Sequence, residues 1–358
     1  MTTKTFMMMA GGTGGHIFPA LAVAKALQKQ GHKIVWLGSE GKMETRLVPQ
    51  VNPDIALEVI PMQGLRGNGL KRKLAMPLMV LKAISMTRQI IKKHGVDAVI
   101  GFGGFVSFPG GVAAKTLGKP VLVHEQNAIA GLSNKLLAKF ADRVLYAFPG
   151  VFDQADGLVG NPVREEIAAL AEPAARFEGR SGRLKLLVVG GSLGAKVFND
   201  TLPEALALLP EADRPIVQHQ TGKDKAAAVQ AHYQTLGLDV QSSEFIDDMV
   251  GAYAQADMVL CRAGALTVAE LAAAGVGSIL VPFPHAVDDH QTQNAQYLVA
   301  GRAAICQQQT EFSAKWLADY LQGLSREACL AKAKNARALA LADAADKVAA
   351  AALASVTQ

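Results

Sequence analysis

The segment Ala10–Pro19 constrains the fold more than any other stretch of this chain. It reads Ala-Gly-Gly-Thr-Gly-Gly-His-Ile-Phe-Pro and lies between an apolar run, Phe6–Met9, and a segment with helical apolar spacing, Pro19–Gln30. Because Pro19 has no backbone N–H, it fits the first turn of a helix. This order of strand, glycine-rich turn and helix places unpaired N–H groups at the positive end of the helix, which favours binding of an anion. A plain turn between a strand and a helix, capped by His16, would show the same pattern.

Strand and helix patterns alternate along the whole chain, which predicts parallel sheets covered on both faces. A second glycine turn, Gly190–Gly194, restarts the pattern, so the 358 residues are predicted to form two α/β domains of similar size. The alanine-rich tail Glu327–Leu353 is predicted to be helical. The strands are predicted at Phe6–Met9, Lys33–Leu37, Ala56–Ile60, Ala98–Ile100, Val121–His124, Val144–Ala147, Leu184–Val189, Pro215–Gln218, Val240–Phe245, Met258–Cys261, Ser278–Val281 and Ala303–Ile305.

The boundary between the two domains is predicted after residue 163. We expect an N-terminal domain at 1–163 and a C-terminal domain at 164–339. A helix at about 340–358 is expected to pack back on the first domain. The stretch Ala171–Arg183, rich in charge, Pro and Gly, has the composition of a linker.

The charge is unevenly distributed. Residues 1–164 contain 20 Lys and Arg against 9 Asp and Glu, whereas residues 165–358 contain 16 against 22. A basic first half indicates an anionic partner. Within residues 65–93, basic side chains flank the apolar run Leu74–Met86, which is too short to span a bilayer. We therefore expect peripheral binding to anionic lipid through this segment.

The cysteines and the apolar segments indicate the compartment in which the protein works and the kinds of partner it has. The three cysteines are widely spaced, which favours a reducing compartment and argues against structural zinc. We expect neither a signal peptide nor a transmembrane helix, and nothing in the chain indicates a nucleic-acid partner. There is no Asp-x-Asp sequence, so the sequence predicts no metal and no cofactor.

Two further stretches carry polar groups at predicted strand ends. Val123–Asn127 ends a strand in His-Glu-Gln-Asn, and ligands of α/β folds lie at the carboxyl ends of strands. Cys261–Glu270 is again a strand, a glycine turn and the start of a helix. There, Thr267 and nearby N–H groups can meet a phosphate, and Glu270 can accept two hydrogen bonds from a ribose diol.

Familiar glycine motifs leave other functions open. No P-loop is present, and the dinucleotide fingerprint at Gly12–Gly14 has Ile17 in place of its third glycine, with Glu40 as a possible ribose acid of a dehydrogenase. Gly190–Gly194 matches the Gly-x-Ser-x-Gly elbow of hydrolases. The partners of Ser192 in such a triad would be Asp257 with His285 or His290.

The motifs taken together resemble a known family. Two βα domains facing a cleft resemble the GT-B glycosyltransferases, and the motifs resemble the bacterial peptidoglycan N-acetylglucosaminyltransferases that complete lipid II, over essentially the whole chain. One stretch, His285–Gln291, is about one residue longer than the family form. The motifs are Gly11–Ala22, His124–Asn127, Gly160–Arg164, Gly190–Ala195, Glu244–Met249 and Cys261–Glu270.

The resemblance implies an inverting, UDP-GlcNAc-dependent hexosyltransferase. It would move N-acetylglucosamine to the C4 hydroxyl of the muramic acid of lipid I, at the cytoplasmic face of the bacterial inner membrane. His16 or Glu125 would take the acceptor proton. The implied substrate-binding positions are Thr13, Gly14, Gly15, Asn127, Arg164, Ser192, Ile246, Ala265, Leu266, Thr267, Val268, Ala269, Glu270 and Gln291.

The resemblance implies that the domain at 1–163 meets the acceptor and a membrane and that the domain at 164–339 binds the donor, UDP-GlcNAc. The implied residue roles follow the parts of the donor. Arg164 and the backbone of Ile246 would hold the uracil, and Glu270 the ribose. Ser192, Leu266 and Thr267 would hold the diphosphate. The sugar and the catalytic centre would fall to Asn127, Gln291 and Thr13–Gly15. A different acceptor, an NAD-dependent oxidoreductase and a non-catalytic UDP-sugar-binding regulator remain as alternatives.

Overall fold

The computed structural model describes residues 2–62, 70–191, 193–341 and 343–357, without the side chains of 70–75, 155 and 287. The chain forms two compact units. The N-terminal unit comprises Met1–Val163 and Asp343–Gln358, and the C-terminal unit comprises Arg164–Ala342. Each unit contains one sheet of six parallel strands with helices packed on it.

The N-terminal sheet has the strand order β3-β2-β1-β4-β5-β6. Its strands are β1 (Thr5–Ala10), β2 (Lys33–Ser39), β3 (Ala56–Ile60), β4 (Ala98–Gly103), β5 (Val121–Glu125) and β6 (Arg143–Tyr146). Its helices are α1 (Gly14–Lys29), α2 (Met43–Val51), α3 (Leu70–His94), α4 (Ser107–Lys115), α5 (Leu132–Ala138) and, from the end of the chain, α15 (Ala344–Val356).

Residues of β1 alternate between two cores because side chains of a strand point to opposite faces. Phe6 and Met8 pack with α1 and α15 on one face of the sheet. Met7 and Met9 pack with α3 and α4 on the other. This double burial explains why β1 is a continuous apolar run without polar alternation.

The C-terminal sheet has the order β12-β11-β10-β7-β8-β9. Its strands are β7 (Lys185–Val189), β8 (Ile216–Gln220), β9 (Gln241–Ser243), β10 (Met258–Cys261), β11 (Gly277–Leu280) and β12 (Ala304–Cys306). Its helices are α6 (Glu165–Ala168), α7 (Pro173–Phe177), α8 (Lys196–Leu208), α9 (Ala226–Thr235), α10 (Met249–Gln255), α11 (Ala265–Ala274), α12 (His290–Ala300), α13 (Ala314–Gln322) and α14 (Arg326–Ala338). Side chains of β7 and β10 share a core with Phe198 of α8 and Leu317 of α13.

The α/β class and all twelve predicted strands are confirmed, with ends shifted by at most three residues. The predicted start of the first helix is wrong. Helix α1 begins at Gly14, so the second half of the glycine cluster is its first turn and Pro19 lies a turn further in. Because Pro19 cannot donate a backbone hydrogen bond, the Gly15 carbonyl lacks its helical partner there.

The predicted linker at Ala171–Arg183 is also wrong, because this segment belongs to the C-terminal unit and is bound to it by two arginines. Arg176 donates to the carbonyls of Tyr253 at 3.2 Å and Ala274 at 2.6 Å. Arg180 pairs with the buried Asp257 at 2.6 Å. The charged side chains indicated a solvated linker in the sequence. In the structure, the guanidinium groups instead donate hydrogen bonds to carbonyls at helix ends.

The alanine-rich tail is helical, as predicted, and forms two helices. Helix α14 stays in the C-terminal unit, where Cys329 and Ala333 enter the core. The chain then continues through Asp343 (φ +61°) into α15, whose Val348, Ala349 and Ala352 pack in the core of the N-terminal unit. Small side chains allow α15 to approach α1 closely.

Candidate functional site

In both sheets the direction of the strand order reverses between two central strands, and each of these strands is followed by a loop that contains glycine. In the N-terminal sheet the reversal lies between β1 and β4, which are followed by the loops at Gly11–Thr13 and Gly104–Val106. In the C-terminal sheet it lies between β7 and β10, which are followed by Gly190–Ala195 and Arg262–Gly264. Ligands of doubly wound folds bind at such points. Each unit therefore contains one candidate ligand position.

The two loops of the N-terminal unit touch each other. A Cβ atom on Gly104 (φ +88°) would lie 2.7 Å from the carbonyl oxygen of Gly11. The hydroxyl of Ser107 lies 2.9 Å from the Met9 carbonyl and accepts the N–H of Gly103 at 3.2 Å. Glycine at 104 thus permits a close approach that Ser107 then stabilises.

His16, in the first turn of α1, is held by this pair of loops. Its Nδ1 lies 3.1 Å from the carbonyl oxygen of Gly11. Because a carbonyl oxygen only accepts, this hydrogen bond requires a proton on Nδ1, which leaves the lone pair on Nε2. Nε2 lies against the backbone of Gly103, where a Cβ would come within 2.9 Å. The half-buried ring thus has the tautomer that a general base needs.

Glu125, the other predicted base, ends β5 and is 1% exposed. Its carboxylate accepts the N–H groups of Asn127 at 2.9 Å and Gly131 at 3.0 Å, and the side chain of Asn134 at 2.8 Å. These bonds fold the loop that carries Asn127. The choice between the two bases stays a prediction, but the occupied carboxylate favours His16.

His16 and Glu125 are also separated by a strand. His16 follows β1 and Glu125 ends β5, with β4 between these strands, which corresponds to about 10 Å at the usual strand spacing. A direct hydrogen bond between the two side chains is therefore not expected.

The other predicted positions of the first glycine loop lie at the start of α1. Thr13 is the N-cap residue of α1, and Gly14 and Gly15 form its first turn.

A pocket of about 650 Å³ lies at the reversal point of the C-terminal sheet. The helices α8 and α11 begin at it, with Ala195 and Gly264 as N-cap residues. Neither side chain can cap a helix, and the positive ends of both helices lie at the pocket, where they favour an anion. Three cationic side chains also line the pocket: Lys196, Lys225 and Arg262. This combination suits a phosphate-containing anion.

Predicted donor residues meet along α11. Thr267 lines the pocket, and Glu270 lies three residues further on the same helix face. Glu270 accepts from Tyr253 at 3.2 Å and pairs with Arg164 at 3.3 Å. Burial raises the pKa of Glu270, and the charge of Arg164 only partly offsets it. The side chain is still 22% exposed, so a ligand can reach it.

Gln291 also lines the pocket, in the first turn of α12. Its side-chain oxygen accepts the N–H of Phe283 at 2.9 Å. The longer stretch before it contains Asp288 and Asp289, both at positive φ (+53° and +50°). Two such residues in succession mark a tight, unusual turn into the helix.

The remaining described donor positions are not among the residues that line this pocket. Ile246 lies half-buried in the loop between β9 and α10. Ala265, Leu266, Val268 and Ala269 belong to the first turns of α11, where Ala265 and Val268 are buried. Ser192 lies outside the described residues, so its predicted contact with the diphosphate stays a prediction.

Sequence reasoning missed Arg262, although it lies inside a quoted motif. Its guanidinium donates to the carbonyls of Val281 and Pro282, both at 3.0 Å, and to Gln309 at 2.6 Å. It also lies over the ring of Phe283, 5.4 Å from the centroid. Arg262 thereby connects the end of β10 to the segment that leads to Gln291. Only the fold places these residues together.

The hydrolase alternative is excluded by the position of Asp257. It precedes β10, whereas the loop with Ser192 follows β7, and parallel strands place these at opposite edges of the sheet. Asp257 is also buried in ion pairs with Arg180 at 2.6 Å and Arg326 at 3.4 Å. It supports the C-terminal unit and cannot orient a histidine at the pocket.

Helix α3 carries the apolar run expected at a membrane. Ala83, Thr87 and Ile90 are buried, whereas Leu78 is 71% and Leu81 61% exposed. Residues 65–69, and the side chains of Lys71–Lys73, lie outside the described part. Among the described residues, no helix combines the length and the apolar composition that crossing a membrane requires.

Sheet order and pocket chemistry define a glycosyltransferase of the GT-B type. Residues 6–146 match the glycosyltransferase family 28 N-terminal domain, and residues 185–348 match its C-terminal domain. The chain has the same fold as a calicheamicin glycosyltransferase (TM-score 0.66, 16% identity, all of both chains).

Closer relatives narrow the class. The chain is 59% identical to a UDP-N-acetylglucosamine–N-acetylmuramyl-(pentapeptide) pyrophosphoryl-undecaprenol N-acetylglucosamine transferase of Neisseria meningitidis serogroup A, over 99% of both chains. A transferase of the same name from Burkholderia thailandensis is 51% identical, over 97% of this chain and 95% of the relative. The crystal structure of MurG from Acinetobacter baumannii superposes with a TM-score of 0.89 at 44% identity, covering 98% and 99% of the two chains. The chain belongs to this family of N-acetylglucosamine transferases.

Proposed function

We propose that this chain transfers N-acetylglucosamine from UDP-GlcNAc to the C4 hydroxyl of the muramic acid of lipid I, which forms lipid II with inversion at the anomeric carbon. The observation that carries the proposal is the pocket of the C-terminal unit. Its two helix N-termini and three cations fit a diphosphate, and Glu270 beside it fits a ribose diol. The full-length relatives supply the identity of the sugar and of the acceptor.

The donor is assigned to the C-terminal unit. Glu270 accepts the two ribose hydroxyls, while Arg164 and the backbone of Ile246 hold the uracil. Thr267 and the N–H groups of α8 and α11 hold the diphosphate, together with Ser192. As the bond from the sugar to the phosphate breaks, these fixed dipoles and cations stabilise the charge that develops on UDP. Gln291 is assigned to the sugar.

The acceptor chemistry is assigned to the N-terminal unit. The C4 hydroxyl oxygen forms a bond to the anomeric carbon, the bond from that carbon to UDP breaks, and Nε2 of His16 takes the hydroxyl proton. In the neutral ring, the hydrogen bond from Nδ1 to Gly11 places the proton on Nδ1 and the lone pair on Nε2. Asn127 and Thr13–Gly15 are assigned to the sugars at this centre, and Glu125 holds the loop that presents Asn127.

Release of UDP on addition of a lipid I analogue tests the proposal directly. We expect UDP to form from UDP-GlcNAc only when the analogue is present. Donor binding without release, whatever acceptor is supplied, would instead support a UDP-sugar-binding regulator. Binding of NADH in place of UDP would support the oxidoreductase alternative.

We further propose peripheral attachment to anionic lipid at the cytoplasmic face of the inner membrane, through α3. Leu78 and Leu81 expose large apolar side chains, and Lys82, the residue after Leu81, is exposed as well. Half-buried Val80 and Ile84 pack inward, so the lipid-facing part is narrower than the apolar run suggested. Apolar insertion and basic attraction to anionic headgroups favour such binding together.

Vesicle co-sedimentation tests this attachment. Leu78→Gln combined with Leu81→Gln should abolish binding to vesicles that contain phosphatidylglycerol, while UDP affinity stays unchanged. Leu208→Gln is the matched control, because Leu208 is as exposed as Leu81 but lies in the C-terminal unit. Equal sedimentation of the double variant and the control would refute the role of α3.

A further inference from the structure

A fully buried carboxylate lies directly behind the first glycine loop. Glu44, the second residue of α2, is 0% exposed. Its Oε2 accepts the N–H of Gly12 at 3.0 Å, and its Oε1 accepts the N–H of Ser39 at 2.8 Å. Its position in the first turn of α2 places the carboxylate near the positive end of the helix dipole. Hydrogen bonds to an ionised acceptor are stronger than neutral ones.

Two glycines make room for this side chain. A Cβ atom on Gly38 would lie 2.8 Å from Cγ of Glu44, and a Cβ on Gly11 would overlap its carboxylate. Any other residue at either position would push the carboxylate away from the loop. The local sequence is therefore adapted to Glu44 on both sides.

The carboxylate is connected to His16 through a single peptide group. The N–H of Gly12 and the carbonyl of Gly11 are the two ends of that group. The N–H donates to Glu44 at 3.0 Å, and the carbonyl accepts from Nδ1 of His16 at 3.1 Å. Hydrogen bonds in such a chain polarise one another. The bond from Gly12 to the carboxylate therefore makes the carbonyl of Gly11 a stronger acceptor for Nδ1 of His16.

We propose that Glu44 is a positioning residue for the transfer reaction. It orients the Gly11–Gly12 peptide so that the carbonyl of Gly11 holds His16 in the tautomer with a proton on Nδ1. A carboxylate fixes a catalytic imidazole directly in Ser-His-Asp triads, and here a peptide group stands between them. The inference rests on the proposed role of His16 as the base.

Nitrogen-15 NMR of labelled histidine tests the proposal without any assay of activity. In the wild type, the signals of His16, assigned by comparison with His16→Gln, should show a proton on Nδ1. In Glu44→Gln, which keeps the shape but loses the charge and one of the two backbone bonds, His16 should become a mixture of tautomers. The kcat should fall about 10- to 100-fold, less than the full contribution of a base, with KM for UDP-GlcNAc unchanged.

Glu40→Gln is the control, because Glu40 is an exposed carboxylate four residues before Glu44, in the loop between β2 and α2. It should change neither the tautomer nor the rate. An unchanged tautomer in Glu44→Gln would overturn the proposal, whatever happens to kcat. A changed tautomer with normal kcat would keep Glu44 as the positioning residue and instead remove His16 as the base. If Glu44→Gln does not fold, a proton on Nε2 in the wild type would by itself overturn the proposal.

Discussion

The glycine loops after β1 and β7 occupy the same place in two sheets of the same strand order, yet their surroundings are opposite in charge. Behind the first loop lies the buried carboxylate of Glu44, which already uses the N–H of Gly12. Around the second loop lie Lys196, Lys225 and Arg262, and no Asp or Glu is among the described residues that line the pocket.

This difference separates two uses of one backbone pattern. A glycine turn at a helix N-terminus binds an anion only while its N–H groups are unoccupied and the local charge is favourable. The first loop fails one condition at Gly12 and instead holds a histidine. The second loop meets the condition of charge, although Gly194 already donates its N–H to the carbonyl of Gly191 at 2.8 Å. We propose that one copy of the pattern serves a base and the other a nucleoside diphosphate.

Replacement of His16 should have the largest effect of the variants that test the difference between the two loops. His16→Ala should lower kcat by about 10²–10⁴, the usual contribution of a general base. UDP affinity should stay unchanged, because the donor contacts belong to the other unit. Turnover with a lipid I analogue and isothermal titration with UDP measure the two quantities separately. A loss of UDP affinity equal to the loss of rate would mean that the first loop also serves the donor.

Glu125→Gln is the competing variant. Because its carboxylate accepts hydrogen bonds from Asn127, Gly131 and Asn134, the change should lower the free energy of unfolding by about 1–3 kcal/mol. Near-normal turnover would remove Glu125 as the base. Slow turnover by a fully stable Glu125→Gln would instead favour Glu125 over His16.

Glu270 tests the other side of the comparison. Glu270→Ala should weaken UDP binding by about 1.5–3 kcal/mol, the contribution of hydrogen bonds to a charged group. Isothermal titration measures this change, and Glu166→Ala, at an exposed carboxylate of the same unit, is the control. Unchanged UDP affinity in Glu270→Ala would remove this residue from the donor site.

The protonation of Glu270 adds a pH dependence. The ionised carboxylate accepts hydrogen bonds from a diol more strongly than the protonated one, and burial raises the pKa of Glu270. UDP affinity should therefore be complete above that pKa and fall as the pH is lowered through it. Glu270→Gln should bind more weakly at neutral pH and lose this dependence, which titrations at several pH values would show.

Sequence reasoning predicted the twelve strands because each is a short apolar run bounded by turn residues, a local pattern. The start of α1 was wrong because glycine is a poor helix former, yet Gly14 and Gly15 form the first turn. The linker was wrong because the charges of Arg176 and Arg180 look solvated in a sequence. Their partners lie about 75 to 100 residues away.

The candidate site divides in the same way. Glu270, Thr267 and His16 lie in motifs that a sequence shows, since helix starts and glycine turns are local. Glu44 and Arg262 act through contacts made by folding, at separations of 32 and 47 residues. Nothing in the local sequence shows that Glu44 is buried while Glu40, four residues earlier, is exposed. A buried acid can be recognised only once its neighbours are known.

The smallest expected effect concerns a property that the two units share. His124 in the N-terminal unit and His219 in the C-terminal unit are both fully buried, and burial lowers the pKa of each from 6.5 to about 4. An unfolded chain binds these protons at higher pH than the folded one. Stability is therefore complete above about pH 6.5 and lost as the pH falls towards 4.

Between pH 7.5 and pH 5, each histidine should lower the free energy of unfolding of its unit by about 2 kcal/mol. Urea unfolding at the two pH values measures the loss. His124→Gln should reduce it for the N-terminal unit alone, and His219→Gln for the C-terminal unit alone. The imidazole of His124 donates to the Gly160 carbonyl at 2.9 Å, and that of His219 contacts Tyr233 at 2.8 Å, so each variant also loses some stability at pH 7.5. The diagnostic quantity is the difference between the two pH values, and an unchanged difference in both variants would contradict the assignment.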